Sequence, residues 1–490
     1  MGYDYDSVIL GGGIAGLTAA AISANLGART ALVEADRHGG GCTWTGGVPS
    51  KALIRAAAIA HTIRTSSSYG IVTSDPVVEF DRVMANVHRI REQIYRQSDS
   101  PEIFKSKGVD IVSGRGRFVD PHTIAVDGND PRTVTARYIF IATGSVPTIP
   151  DIAGLADSPF ITNESIFDIK DLPQSFGILG TGHVGCELAQ AFQRLGSSVT
   201  LIEERPGILE GDDEELSSML QEIIEDEGVR FLLGAKVTKI VSAGVGSILE
   251  IEQGGAVKNL SVDQLLVAVG RSPNLVHLGL DAAGVEFSKT GIDVDDHGRT
   301  SVKHIYAIGD ITGRGFYTHM AEHEAKVAVL SALLKSPVKF DGGHAVRCTF
   351  TDPELAHVGA SEADLKKAGA SYHMYRFPYN RIDRAIIDGH TKGWIKVFAR
   401  KATGRILGAD ILGHGAGEQI AHFAVAMRNG VTLRQMADTI HPYPTYATGS
   451  RRAADQWYVQ NQSEGLTRFL QKTFRLKGPT PDLSDPHRIV

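Results

Sequence analysis

The 490-residue sequence predicts an α/β protein in which one strand–turn–helix–strand unit occurs twice and an α+β domain follows. Three observations support this prediction. A glycine-rich turn of the GxGxxG type separates an apolar strand from an Ala/Leu-rich helix at two places, an acidic residue follows each turn at the same distance, and no further GxGxxG turn occurs after about residue 345. At roughly 100–200 residues per domain, the length accommodates about three domains.

Residues 7–34 and 176–203 are the two copies of the repeated unit. They read SVILGGGIAGLTAAAISANLGARTALVE and FGILGTGHVGCELAQAFQRLGSSVTLIE. In both copies the first glycine of the turn precedes a glutamate by 23 positions. A lone GxGxxG is weak evidence, whereas two copies with strand, helix and acid all in place strongly indicate two Rossmann-like dinucleotide-binding units.

Each glycine of the turn has its own task in such a unit. The first permits a tight turn, the second lets the backbone approach a pyrophosphate, and the third lets the helix pack closely on the strand. The free N–H groups and the dipole of the helix N-terminus favour the phosphate charge, and the glutamate can accept hydrogen bonds from a ribose. The alternative is that the glycines serve packing only. The predicted cofactor-binding residues are Gly11, Gly13, Gly16, Glu34, Gly180, Gly182, Gly185 and Glu203.

Two dinucleotide sites in one chain predict a redox relay, with a tightly bound flavin at one site and an exchangeable nicotinamide at the other. Segments 133–147 and 265–274 each read as a strand entering a turn, and segment 300–310 ends in an acid that can bind a sugar-like hydroxyl chain. Residues 48–67 and 79–97 read as amphipathic helices. Hinges are expected near Pro150–Gly154 and Asn274–Gly284.

The C-terminal region has a different character. From about residue 345, strand-like and helical segments alternate without a phosphate loop, which predicts an antiparallel α+β domain that serves as an oligomer interface. The tail carries an apolar and basic stretch that we expect to pack on its own protein, the alternatives being a neighbouring surface or a membrane. The predicted domains are 1–150 with 275–344, 151–274, 345–465 and the tail 466–490.

Composition limits the partners. A net charge of −6 argues against nucleic-acid binding and favours small-molecule partners. Three cysteines in so long a chain argue against a secreted disulfide scaffold. No signal peptide and no apolar run of transmembrane length is evident, so we expect a soluble cytoplasmic protein. We expect no metal site.

The chain contains, in this order, the motifs GGGIAG, VPSK, ATGS, GTGHVGCE, AVGRSPN, YAIGD, FTDPELAHVG, TGRILGADILG and HPYPT. Together they resemble the pyridine nucleotide-disulphide oxidoreductases, specifically the dihydrolipoamide dehydrogenase and mercuric reductase group. The resemblance covers residues of about 5–460. It implies an FAD domain in two sequence pieces, an NAD(P)H domain inserted between them, and a C-terminal dimerisation domain. It also implies a homodimer in which the partner's C-terminal segment completes each active site.

The resemblance also assigns roles to single residues. Asp310 would contact the FAD ribityl chain, and Lys51 would lie near flavin N5, paired with Glu187. A lysine there would favour the negative charge of reduced flavin, although an ordinary solvated ion pair is the alternative. The same resemblance assigns cofactor binding to Thr143, Gly144, Gly270 and Gly309.

The chain departs from the family at two places. The family has two cysteines with four residues between them ahead of PSK, whereas here Cys42 holds the first position and Gly47 the second. The family's C-terminal His and Glu are replaced by Tyr443 and Thr448. Because a tyrosine has a pKa near 10, it is a poor base at neutral pH. Cys42, Lys51, Glu187 and Tyr443 are the candidate catalytic residues.

These departures predict an oxidoreductase without the disulfide relay. Hydride would pass from NADH to FAD and then to a non-disulfide acceptor such as a quinone. The alternatives are a thiol, disulfide or metal-ion reductase acting through Cys42, and an inactive FAD- and NAD-binding dimer. Glu203 favours NADH, since a carboxylate repels the 2′-phosphate of NADPH, although Arg205 could receive that phosphate.

Overall fold

The computed structural model describes residues 2–128, 131–244 and 246–479. The predicted tail residues 480–490 lie outside the described residues. The first third of the chain forms β1 (Tyr5–Leu10), α1 (Ile14–Asn25), β2 (Thr30–Glu34), α2 (Gly40–Trp44), α3 (Gly47–Thr65), α4 (Phe80–Ile94), α5 (Pro101–Ser106), β3 (Val109–Ser113), β4 (Arg115–Asp120), β5 (Thr123–Asp127), β6 (Arg132–Ile141) and β7 (Ser145–Pro147).

The remaining elements follow in chain order. The middle of the chain forms β8 (Ser175–Leu179), α6 (His183–Leu195), β9 (Ser198–Glu203), α7 (Glu214–Asp226), β10 (Arg230–Leu233), β11 (Ala235–Ala243), β12 (Gly246–Gln253), β13 (Ala256–Val262), β14 (Gln264–Val267), β15 (Arg271–Pro273), α8 (Leu280–Ala283), β16 (Phe287–Ser288), β17 (Gly291–Ile292), β18 (Ile305–Ala307) and α9 (Thr318–Leu334). The C-terminal part forms β19 (Val346–Thr349), β20 (Glu354–Gly359), α10 (Glu362–Lys367), β21 (His373–Pro378), α11 (Asp383–Ile387), β22 (Trp394–Ala399), β23 (Ile406–Gly413), α12 (Ala416–Arg428), α13 (Leu433–Ala437), α14 (Ala447–Gln460) and α15 (Glu464–Phe474).

The described chain divides into two compact units. One contains the described parts of residues 1–206 and 227–341, and the other contains the described parts of residues 207–226 and 342–490. Helix α7 therefore groups with the C-terminal elements, although it lies between β9 and β10 in sequence.

The first unit contains the two parallel sheets that the repeat predicts. Strands β3, β2, β1, β6 and β18 pair in parallel in that order, and β10, β9, β8 and β14 do the same. The central strands β1 and β8 are buried along almost their whole length, as expected for a sheet covered on both faces. Because the carboxyl ends of parallel strands lie at one edge, each glycine-rich turn follows its first strand at that edge.

Two antiparallel additions were not predicted. Strands β4 and β5 extend the first sheet by pairing with the N-terminal half of β6, and β11, β12 and β13 form a three-stranded sheet of their own. The two predicted amphipathic helices are present as α3 and α4, with ends that differ by one to three residues from the expectation.

The second unit is the predicted antiparallel α+β domain. Its five strands have the order β19, β20, β23, β22 and β21. Helices α12 and α14 cover the sheet, and the core includes Phe423, Tyr375 and Tyr379, which are fully buried. Within the described residues, no helix is long and apolar enough to cross a membrane.

Candidate functional site

The two glycine-rich turns have the same geometry. Gly11 and Gly180 adopt φ values of 108° and 102°, and a Cβ at either would lie within 2.5 Å of the carbonyl oxygen of the strand alongside. Only glycine fits such a backbone. A Cβ on Gly16 would lie 1.8 Å from the Gly11 carbonyl oxygen, and one on Gly185 would lie 2.1 Å from the Gly180 oxygen. These four glycines are therefore required by the fold itself.

The middle glycine of each turn differs from its neighbours because it is not needed for packing. A Cβ on Gly182 would meet nothing within 4 Å, and one on Gly13 would meet only Gly40 Cα at 3.9 Å. Both residues cap the N-terminus of the following helix, α6 or α1. Open space in front of a helix N-terminus is what a pyrophosphate requires, so the residues present fit a dinucleotide at both turns.

The two glutamates lie at equivalent positions. Glu34 accepts a hydrogen bond from the Gly12 N–H at 2.5 Å and from the Asp36 N–H at 2.7 Å. Glu203 accepts from the Thr181 N–H at 3.3 Å and from the Arg205 N–H at 3.1 Å. Each carboxylate is thus fixed beside its turn by backbone donors, where a ribose hydroxyl would lie.

A pocket opens beside the second turn. Besides Gly180 and Glu203, it is lined by Glu204, Arg205 and Lys236. Arg205 follows the second strand of the repeat and was expected here, whereas Lys236 comes from β11 and no local signal in the sequence points to it. The pocket in which one end of a nucleotide would bind is therefore lined by both carboxylates and positively charged side chains.

The acid that follows β18 has partners from two other motifs. Ser145 donates its hydroxyl to Asp310 Oδ2 at 2.5 Å, and Arg271 Nε donates to Ser145 Oγ at 2.7 Å. Burial raises the pKa of Asp310, whereas Ser145 and the Arg271 charge oppose that shift. Strands β7 and β15 hold the two partners together, since Arg271 pairs with Pro147.

The predicted residues Thr143, Gly144 and Gly270 form the backbone around this cluster. The Thr143 hydroxyl donates to the Asn274 carbonyl at 3.1 Å, and the Gly144 carbonyl accepts from the Asn274 N–H at 2.9 Å. The Gly270 carbonyl accepts from the Thr148 N–H at 3.0 Å. Sequence reasoning quoted the motifs that contain Ser145 and Arg271 but assigned neither residue a role.

A buried carboxyl group, Glu324 on α9, lies behind Gly309. The Gly309 N–H donates to Glu324 Oε2 at 2.6 Å. Burial raises the pKa of Glu324 to about 7, with smaller effects from Gly309, Arg314 and Asp310. Sequence reasoning missed Glu324, because a single acid within a long helix is indistinguishable from a solvent-exposed one.

Lys51 and Glu187 meet between the packed helices α3 and α6. The Lys51 Nζ lies 2.8 Å from Glu187 Oε2. Glu187 is 3% exposed and Lys51 is 37% exposed. The buried carboxylate thus fixes a lysine whose outer part remains accessible.

Cys42 lies in α2 and faces Gly47, the first residue of α3. A Cβ on Gly47 would lie 3.8 Å from Cys42 Sγ and would meet nothing else within 4 Å. Burial raises the pKa of the Cys42 thiol, and the hydrogen bond with Thr318 and the nearby Lys51 charge only partly oppose this. The thiol is therefore protonated at neutral pH and a weak nucleophile.

Tyr443 belongs to the second unit and is 72% exposed. A hydrogen bond with Asp383 and the charge of that carboxylate raise the pKa of the phenol further. At neutral pH, the phenolate form of Tyr443 that could accept a proton is therefore even rarer than that of an isolated tyrosine.

Two dinucleotide-binding turns in one chain fit a protein that passes electrons between two nucleotide cofactors. Residues 5–331 match the family model described as pyridine nucleotide-disulphide oxidoreductase, and residues 345–454 match the dimerisation domain of that family. The chain belongs to this family. Its members bind FAD and use NAD(P)H.

Three similar proteins illustrate the range of the family. A dihydrolipoamide dehydrogenase of Chaetomium thermophilum is 35% identical over 93% of this chain and 91% of its own. A mercuric reductase of Lysinibacillus sphaericus is 31% identical over 92% of this chain and 82% of its own. The structure of a Cu(II) complex of the HOCl-induced flavoprotein disulfide reductase RclA from Escherichia coli superposes with a TM-score of 0.82 at 26% identity, covering 94% of this chain and 100% of that chain.

Proposed function

We propose that this protein is an FAD-dependent NADH oxidoreductase whose electron acceptor is not a disulfide. The observation that carries the proposal is Gly47 opposite Cys42. All three cysteines, Cys42, Cys186 and Cys348, lie among the described residues, and none of them forms a disulfide. A disulfide relay needs two sulfurs in one place and a thiolate to attack, and this site has one protonated thiol.

Several residues support the proposed nicotinamide step. Bound FAD would supply the two-electron chemistry between nicotinamide and acceptor. Gly13 and Gly182 leave room for the two pyrophosphates, and Glu34 and Glu203 would each accept a ribose hydroxyl. Lys51, fixed by Glu187, would supply a positive charge that favours the reduced state of the cofactor.

NADH is the preferred donor in this proposal. The Glu203 carboxylate is fixed beside the second turn and would accept the 2′-hydroxyl of NADH, whereas it would repel a 2′-phosphate. Arg205 and Lys236 line the same pocket and oppose this preference. A comparison of kcat/KM for NADH and NADPH decides between them, and a higher value for NADPH would contradict the proposal.

The acceptor is proposed to be a quinone, which takes two electrons and two protons to become a quinol while NADH becomes NAD⁺ and solvent supplies the second proton. A small molecule fits because Gly47 leaves space beside Cys42 where the family has a second sulfur.

We also propose that the chain works as a homodimer. Sedimentation should then give twice the chain mass of 52.6 kDa, and a monomer at assay concentration would contradict this.

The acceptor test compares quinone, lipoamide and glutathione disulfide with the wild-type protein and Cys42→Ser. We expect turnover with quinone only, and no more than a small change in Cys42→Ser. Substantial lipoamide or glutathione disulfide reduction would refute the proposal.

The second candidate is metal-ion reduction through Cys42. The relatives support it, since one is named a mercuric reductase and another was solved as a Cu(II) complex. In that case Hg(II)- or Cu(II)-dependent NADH oxidation should exceed quinone turnover and should be lost in Cys42→Ser.

A further inference from the structure

Three metal-ligating side chains converge in the second unit, although no sequence motif indicated them. Asp352 lies between β19 and β20, His390 lies between α11 and β22, and His414 directly follows β23. Their donor atoms all lie within 4.8 Å of one another. None of the three belongs to the glycine-rich turns or to the Cys42 segment.

The backbone at His414 is held by buried groups. The Tyr379 hydroxyl donates to the His414 carbonyl at 3.2 Å and accepts from Gln419 Nε2 at 2.5 Å. The Tyr379 ring occupies the space that a side chain at Gly413 would need, since a Cβ there would lie 1.9 Å from the ring. The position of His414 is therefore fixed by close packing rather than by a loose loop.

The two imidazoles contact each other and a neighbouring tyrosine ring. The rings of His390 and His414 stack at 4.2 Å, with 8° between their planes. The Tyr446 ring contacts His414 with its centroid 5.2 Å away, and the Tyr446 hydroxyl donates to Asp388 at 2.9 Å. These contacts place both imidazoles in one cluster of packed side chains.

The side chains of three carboxylates, Asp352, Glu354 and Asp388, lie close enough to His414 to act on it electrostatically. A neutral imidazole offers a nitrogen lone pair, and the surrounding carboxylates favour a bound cation.

The donor set selects the type of metal. Two imidazole nitrogens and one carboxylate oxygen suit Zn²⁺ and similar first-row cations, whereas Mg²⁺ and Ca²⁺ prefer oxygen ligands alone. Zn–N bonds of about 2.0–2.1 Å place tetrahedral ligands roughly 3.3 Å apart. The side chains would therefore rotate inward on binding, which the exposed His414 allows.

We propose that Asp352, His390 and His414 form a binding site for one Zn²⁺-class divalent cation in each chain. The three protein ligands leave a fourth position for water, the arrangement of an open rather than a closed zinc site.

The test uses full-length, tag-free, FAD-loaded protein from which metals have been removed by a chelator. Zn²⁺ binding is measured by titration calorimetry, and Co²⁺ binding is measured by the visible absorption of the tetrahedral ion. The variants are His390→Ala, His414→Ala and Asp352→Asn. The matched control is His373→Ala, which removes an imidazole from β21 in the same unit but outside the cluster.

We expect one tight Zn²⁺ per chain, with the affinity reduced at least roughly tenfold in the three variants and unchanged in His373→Ala. FAD content and circular dichroism identify any variant that fails to fold, and the remaining variants then carry the test. The proposal is overturned if the wild-type protein takes up no Zn²⁺, if uptake survives in His390→Ala and Asp352→Asn, or if Mg²⁺ competes equally.

Discussion

At the scale of single residues, the Cys42 thiol is held in its protonated form by burial, and a glycine rather than a second sulfur lies opposite it. The site of the missing sulfur is nevertheless well defined. A Cβ at position 47 would lie 3.8 Å from Cys42 Sγ, whereas the corresponding distance across a disulfide is roughly 3 Å. A small shift would therefore suffice to join the two positions.

Gly47→Cys should form a disulfide with Cys42. The variant should take up a second pair of electrons per FAD and should acquire measurable lipoamide or glutathione-disulfide reduction. Gly47→Ser, of similar size but without a thiol, is the control and should do neither. Thiol counting with and without reductant, together with reductive titration, checks the prediction, which fails if the introduced thiol and that of Cys42 both remain reduced after oxidation.

Lys51→Met should slow reduction by NADH by roughly tenfold or more, because a positive charge that favours reduced flavin is lost. It should also destabilise the protein by about 1–3 kcal/mol, since the buried Glu187 loses its ion-pair partner. Lys51→Arg retains the charge and should lose less of the reduction rate. Stopped-flow reduction and denaturant unfolding measure the two effects; equal rates in Lys51→Met and wild type would contradict the proposed role.

Glu324 makes stability depend on pH. Its pKa is raised from 4.5 to about 7, so the folded state retains a proton that the unfolded state loses, and stability falls as pH rises between these values. Glu324→Gln stays neutral and keeps an acceptor for the Gly309 N–H. The stability of wild type relative to this variant should therefore fall by roughly 3 kcal/mol up to pH 7. Denaturant unfolding across this range measures the difference, and a pH-independent difference would refute the assignment.

At the scale of elements, the strand–turn–helix units could be predicted because their signals are local. Periodicity, glycine spacing and the acid 23 positions later all lie within residues 7–34 and 176–203. The hairpin β4–β5 and the sheet β11–β13 were missed, since polar, partly exposed strands have no strong pattern. For long-range clusters such as Ser145, Asp310 and Arg271, the sequence shows the motifs that contain the residues but not that the side chains meet. Their contacts join positions more than 100 residues apart.

The glycines of the second turn provide a test at this scale. Gly182→Ala should leave the fold intact, because its Cβ would meet nothing within 4 Å, but should weaken NADH binding at least roughly tenfold while FAD is retained. Gly185→Ala should instead destabilise the protein, because its Cβ would lie 2.1 Å from a backbone oxygen. Gly207→Ala, also in open space but outside the turn, is the control. Nucleotide titration and thermal unfolding separate the two effects; normal NADH binding in Gly182→Ala would contradict the assigned site.

At the scale of the whole molecule, the sequence predicted the fold class and the family, but not every site. The Asp352, His390 and His414 cluster draws on three loops that a sequence scan does not bring together. Our proposal of a metal site therefore disagrees with the expectation from the sequence that the protein has none. In our proposal, the protein as a whole combines residues that support a nicotinamide-to-flavin step with a cysteine segment in which Gly47 stands where the family has the second cysteine.

The most direct test of this account is an anaerobic titration of the purified flavoprotein with NADH, followed by the visible flavin spectrum. We predict full bleaching at one NADH per FAD, with no long-wavelength thiolate–flavin band, because no disulfide accepts electrons. Uptake of a second equivalent with such a band would show that a dithiol centre operates and would contradict the central claim. Failure to bleach with either NADH or NADPH would contradict the proposed nicotinamide step.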